Sequence, residues 1–108
     1  MSFKVTSVEN YFETLDKRFN PDGAKGVDMI FQWDLSGQFW HAIIKDQTVE
    51  VVEGKNEAAT CTLEMAADNF VKMINGDLNQ NLAILTRKLK VSGNKMAAGR
   101  VRTIFPIG

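Results

Sequence analysis

With 108 residues, 44% hydrophobic and 24% charged side chains and a formal net charge of zero, the chain has the composition of one globular domain. No apolar run approaches the ~18 residues of a helical membrane span, and Cys61, the only cysteine, excludes an internal disulfide and a cysteine-based metal site. Charge is nevertheless unevenly spread: Met1 to Asp77 carries all 13 acidic and 7 basic residues, whereas Leu78 to Gly108 carries 6 basic and no acidic ones.

Thr6-Ser7-Val8-Glu9 has the Thr-x-x-Glu form of a capping box, and Val8, Tyr11, Phe12, Leu15 and Phe19 then fall on one face of an amphipathic first helix. Asn20-Pro21-Asp22-Gly23 ends it, because proline removes a donor and glycine supplies the turn. From Val27 the period becomes two. Val27, Met29, Phe31 and Trp33 share one face, and Asp28, Ile30, Gln32 and Asp34 share the other.

Ser36-Gly37 turns the chain into a second strand, apolar on both faces and therefore suited to the middle of a sheet. Asp46-Gln47 marks a second hairpin, Val49 to Glu53 a third strand, and Gly54-Lys55-Asn56 the next turn. A fourth strand, Thr60 to Met65, sets Cys61, Leu63 and Met65 against Thr60, Thr62 and Glu64, and Asp68 suits the start of the helix that follows. In that helix Phe70, Met73 and Ile74 recur at helical spacing before Gly76, and Leu82 and Leu85 follow on the next helical segment.

Arg87 to Ser92 reads as a last strand. Ser92 or Asn94 then caps a terminal helix with Met96, Ala97, Val101, Ile104 and Phe105 on one stripe, ended by Pro106. Gly99 inside it costs about 1 kcal/mol relative to alanine, which implies a close backbone approach or room beside a ligand. Hairpin strands, then helices, then a late strand specify an α+β sheet with helices gathered on one face. No linker, internal repeat or low-complexity stretch interrupts it.

The chemistry-bearing residues are few. His41 is the only histidine, so a hydrolase or isomerase would be built around it, with Cys61 as nucleophile only if folding joined the two. No metal-ligand cluster, phosphate-cradling glycine loop or dinucleotide fingerprint is present, so no cofactor is expected. The six C-terminal bases suit phosphate head groups, acidic partners or a nucleic acid. The last lacks interleaved exposed aromatics and an overall basic domain, and no nucleic-acid partner is expected. The other reading is a solvated face paired with the acidic half of the same molecule.

The order Phe70, Gly76-Asp77-Leu78, Ala83, Lys88-Leu89-Lys90-Val91-Ser92-Gly93 resembles the closing half of a sterol-carrier-protein-type lipid-transfer domain. Trp40 to Asp46 (WHAIIKD) is similar to that family's Trp-x-Leu-x-Val-x-Asp-Gly strand, and Ala59 to Phe70 (ATCTLEMAADNF) to its strand leading into an acidic helix start. The resemblance is strongest over residues 27–105 of a single domain, residues 1–108. The chain departs from the pattern at Gln47 and Arg87, where glycine is usual, and at Asn94, where aspartate is common.

The resemblance implies a five-stranded, largely antiparallel sheet with helices on one face enclosing an apolar tunnel. It also implies a non-catalytic carrier of fatty acids, acyl-CoA, sterols or related lipids. On that reading Phe31, Trp33, Trp40, Phe70, Ile74, Leu82, Leu85 and Met96 are the wall candidates. Arg100 or Gln32 would meet a head group, and the basic C-terminal part would touch a membrane surface transiently. Neither a secretory nor a transit pattern opens the sequence and no Ser-Lys-Leu address closes it, which is the expectation for a cytoplasmic protein. A small interaction module with a filled core and an enzyme using His41 remain the alternatives.

Overall fold

A computed structural model describes residues 5–105. The elements run α1 (Val8–Glu13), α2 (Leu15–Arg18), β1 (Met29–Leu35), β2 (Gln38–Lys45), β3 (Thr48–Glu53), β4 (Cys61–Met65), α3 (Ala67–Ile74), α4 (Gln80–Leu85), β5 (Leu89–Gly93), α5 (Lys95–Ala98) and α6 (Val101–Ile104). Among the described residues no helix is long and apolar enough to cross a membrane.

The strands form one sheet in the order β3-β2-β1-β4-β5. All neighbours are antiparallel except β1 and β4, which are parallel. The doubly apolar β2 is indeed internal, although β1 takes the centre. Both hairpins use two-residue turns with left-handed backbone at both positions, Ser36 and Gly37 in one, Asp46 and Gln47 in the other.

One face of the sheet carries Phe31, Trp33, Leu35, Ala42, Ile44, Cys61, Leu63, Met65 and Leu89, all buried. Helical segments cover it through an aromatic cluster. Phe12 of α1 meets Trp33 edge-on at 5.2 Å and stacks on Trp40 at 4.7 Å, while Phe105, after α6, meets Phe31 and Trp33. Tyr11 packs edge-on against Phe70 of α3 at 5.0 Å. Such contacts add about 0.5–1.5 kcal/mol each beyond the area they bury.

The opposite face is crossed by the connection from β3 to β4, which must pass over β2 and β1 to reach its place. His41 and Gln32 secure that crossing, which is why two polar side chains are buried there. His41 Nδ1 lies 2.8 Å from the Gly54 carbonyl and Gln32 Oε1 accepts from the Asn56 N–H at 2.6 Å. The Gln32 amide also donates to Thr62 Oγ1 at 3.1 Å. Gln32 therefore faces away from the helices and cannot serve as the expected head-group partner.

Local details correct three expectations. The cap of α1 is Ser7 rather than Thr6: its hydroxyl accepts from the Asn10 N–H at 3.1 Å, and Asn10 Oδ1 accepts from the Thr6 N–H at 3.3 Å. The first helix is broken after Glu13, where the Thr14 hydroxyl bonds the carbonyls of Asn10 and Tyr11 and competes with the backbone ladder. The last helix is likewise two pieces, α5 and α6, with Gly99 and Arg100 between them. Asn94 caps α5, accepting from the Ala97 N–H at 3.1 Å, and Pro106 lies outside the described residues.

Candidate functional site

Between the β4–β5 edge of the sheet and helices α4 and α5 opens a cleft of about 330 Å³, walled by Leu63, Ile84, Leu89, Val91, Ala98 and Gly99, with Gln80 and Lys95 as its polar groups. Behind it lies a void of about 30 Å³ that shares Leu63, Gln80, Leu89 and Ala98 as walls and reaches Tyr11, Trp33, Phe70, Ile74 and Arg102. The outer volume is at the lower end for a small-molecule site, while the inner one is about the size of a single water. The expected continuous tunnel is thus two compartments, because aromatic rings fill the space between sheet and helices.

Local sequence explains why the cleft exists. On α4 only Ala83 is buried, and on α5 only Ala97 and Ala98. Small inward side chains leave volume against β5 that larger ones would occupy. Gly99 extends the same effect: a Cβ added there would meet only the Met96 carbonyl oxygen, at 3.4 Å. Its place in the sequence therefore reflects room beside the cleft, not a close approach of another element.

The wall candidates divide accordingly. Trp33, Phe70 and Ile74 line the inner void. Phe31 is fully buried in the solid core beside Phe105, and Trp40 is half-buried against Phe12 with its indole N–H making no hydrogen bond. Leu82, Leu85 and Met96 are 52%, 80% and 88% exposed and line neither compartment. Apolar spacing pointed these three inward, but on such short helices the alanines hold the inward side. The residues overlooked, Leu63, Leu89, Val91 and Ala98, carried a signal in strand alternation and in small side chains. Arg100 is exposed and outside the lining, whereas Arg102 touches the inner void.

The one pair weighed for catalysis, His41 and Cys61, is not brought together. His41 pairs in register with Gln32 on the outer face, whereas Cys61 pairs with Phe31 on the helix-covered face, so the sheet separates them. Burial pushes the Cys61 thiol up to about 11, away from the reactive thiolate. Among the described residues no group of histidine, cysteine and carboxylate side chains could hold a metal ion.

The charge asymmetry is partly compensated within the fold. A second, polar cleft of about 400 Å³ on the outer face brings Asp34 and Glu64 together with Arg87, Lys88 and Lys90. Glu64 stands opposite Lys90 in the β4–β5 register and beside Asp34 in the β1–β4 register. Acids of the first part thus face bases of the second, which leaves Lys95, Arg100 and Arg102 on the other side of the molecule.

Known proteins agree with this architecture. The human hydroxysteroid dehydrogenase-like protein 2 is 30% identical over 103 residues, covering 92% of this chain and 25% of that protein. The chain spans about a quarter or less of the length of the curated relatives it matches. The sterol carrier protein 2 of Yarrowia lipolytica superposes with a TM-score of 0.71 at 24% identity, covering 98% of this chain and 99% of that one. The palmitated sterol carrier protein 2-like 2 of Aedes aegypti gives a TM-score of 0.71 at 24% identity over 89% of this chain and 91% of that one. At such identities these two likenesses establish the fold. Residues 10–106 match the profile of the SCP-2 sterol transfer family, and the chain belongs to that family.

Proposed function

We propose that this chain, acting as one domain, is a non-catalytic carrier that takes the apolar tail of a fatty acid, acyl thioester, sterol or related lipid into the cleft between β5 and helices α4 and α5. The observation that carries the reading is that cleft of about 330 Å³, walled by Leu63, Leu89, Val91 and Ala98. Membership of a sterol transfer family and the palmitate held by the Aedes aegypti relative support it. Each methylene moved from water into such a site is worth about 0.8 kcal/mol, so about ten suffice for tight binding after ordering costs.

A tail longer than the outer cleft enters the inner compartment, where Trp33, Phe70 and Ile74 shift to admit it. The polar end then lies near Gln80 and Lys95. In this reading the domain works in the cytoplasm, its basic C-terminal part touches membrane surfaces transiently, and no nucleic acid is involved. The small inner void favours a second reading, an interaction module whose core is full.

Native mass spectrometry of freshly purified protein, followed by titration of delipidated protein with a fluorescent fatty acid, separates the two. A carrier shows a co-purified apolar mass or saturable binding that changes Trp33 emission and raises the melting temperature. Absence of both across fatty acids, acyl thioesters and sterols gives the protein to the interaction reading.

A further inference from the structure

Every exposed large hydrophobic side chain among the described residues lies in one stretch: Leu82, Ile84 and Leu85 on α4 and Met96 on α5. These helices frame the cleft, since Ile84 lines it from one side and Lys95, the neighbour of Met96, from the other. The exposed apolar groups therefore stand on its rim. Water-facing leucine and methionine at that density are unfavourable unless another surface covers them.

Charge identifies the cover. From Leu78 to the end of the sequence every charged residue is basic, and Lys95, Arg100 and Arg102 are exposed on or beside α5 and α6. By contrast, the exposed charges of α1 and its continuation include Glu9, Glu13 and Asp16, and Lys88 and Lys90 are faced by Asp34 and Glu64 on the outer side of the sheet. Among the described residues, the rim of the cleft is where exposed large apolar groups and exposed bases lie together. That combination fits the interface of an anionic bilayer, where apolar side chains enter the acyl boundary and bases meet lipid phosphates.

We infer that the α4–α5 rim is a docking surface for anionic membranes, with Leu85 and Met96 inserting and Arg100 and its neighbours holding head groups. The inference rests on the carrier reading. Docked this way, the cleft mouth faces the bilayer and a lipid tail passes between them without crossing water.

The test is flotation of the full chain with vesicles of phosphatidylcholine alone and of phosphatidylcholine with phosphatidylserine. The wild type floats with the anionic vesicles only, and added salt releases it. The double variant Leu85→Ser, Met96→Ser lowers vesicle affinity at least fivefold, and Arg100→Glu lowers it independently. Neither changes fatty-acid affinity in solution, because these side chains line no part of the cleft. Failure of the wild type to float, or equal flotation of the variants, overturns the proposal. So does a dimer in sedimentation that Leu85→Ser, Met96→Ser dissociates, which gives the rim to a second copy. Fatty-acid binding without flotation removes the docking surface and leaves the carrier. Flotation without binding of any fatty acid, acyl thioester or sterol upholds the surface and removes the carrier reading.

Discussion

The Asn75 side chain takes both backbone hydrogen bonds of Val5, accepting from its N–H at 2.7 Å and donating to its carbonyl at 2.9 Å. A residue at the C-cap of α3 thus acts as a one-residue strand for the segment that leads into α1. It fixes where Tyr11 and Phe12 meet Phe70, and hence one wall of the inner compartment. Asn75→Ala leaves two partly buried backbone groups without partners and is expected to destabilise the fold by about 1–3 kcal/mol. Urea unfolding reads the loss, and hydrogen exchange should place it in residues 5–13 and 70–75.

His41 is a structural residue on this geometry. His41→Ala deletes its contact with Gly54 and is expected to cost about 1–2 kcal/mol, with faster hydrogen exchange in the crossing loop 54–60. Fatty-acid affinity should not change, because the cleft lies on the other face of the sheet. Loss of binding at full folding would show that the two faces communicate.

Cys61 gives the fold an alkaline limit. Its folded value of about 11 stands above the ordinary value near 9, so the unfolded chain loses this proton first. The stabilisation is complete below pH 9 and is lost as pH rises toward 11. Tyr11, whose phenol burial also pushes upward, extends the decline. Cys61→Ala should flatten the midpoint of urea unfolding between these pH values relative to the wild type; an unchanged slope would mean that the thiol is not the titrating group.

Much of this architecture was legible because period, punctuation and burial agreed. The alternation of Phe31 and Trp33 against Gln32, and the stops at Pro21, Gly37 and Gly76, each specify an element that is present. What was not legible follows from tertiary context. Thr14 carries a hydroxyl that interrupts a helix whose apolar face continues past it. Leu82 and Leu85 have helical spacing, but Ala83 between them sets which side of a six-residue helix faces inward. Gln32 and His41 are buried by a loop crossing that becomes apparent only once β4 pairs with β1. The volume of the cleft depends on alanines and a glycine, which mark space by being small.

Two helices of this protein end in the same way with different residues. After α3 the N–H of Gly76 meets the Met73 carbonyl at 3.2 Å and that of Asp77 the Lys72 carbonyl at 2.7 Å. After α4 the N–H of Arg87 meets the Ile84 carbonyl at 3.1 Å and that of Lys88 the Ala83 carbonyl at 2.8 Å. Both are Schellman ends, with φ of 84° at Gly76 and 63° at Arg87. A left-handed residue with a Cβ costs about 1–2 kcal/mol, and glycine returns about 0.5–1 of that as chain entropy. Arg87→Gly is therefore expected to stabilise by about 0.5–1 kcal/mol. Gln47→Gly, at φ 60°, should gain less, because it gives up the Gln47 amide bond to the Pro21 carbonyl at 3.1 Å. Thermal unfolding of the two variants side by side checks the ranking.

Gly99 separates stability from binding. It sits at the end of α5 with right-handed backbone, φ −65°, so alanine fits the conformation without strain. Gly99→Ala is expected to raise stability by up to about 1 kcal/mol, from helix propensity and reduced freedom of the unfolded chain. The added methyl meets no other element, and Gly99 lines the cleft. Fatty-acid affinity should therefore fall as melting temperature rises, and Gly99→Leu should deepen the loss as it fills more of the cleft. An opposite movement of the two quantities is what a binding cleft predicts. If the alanine variant gains stability and binds as before, the tail does not pass beside Gly99, and the site must lie deeper, against Trp33 and Phe70.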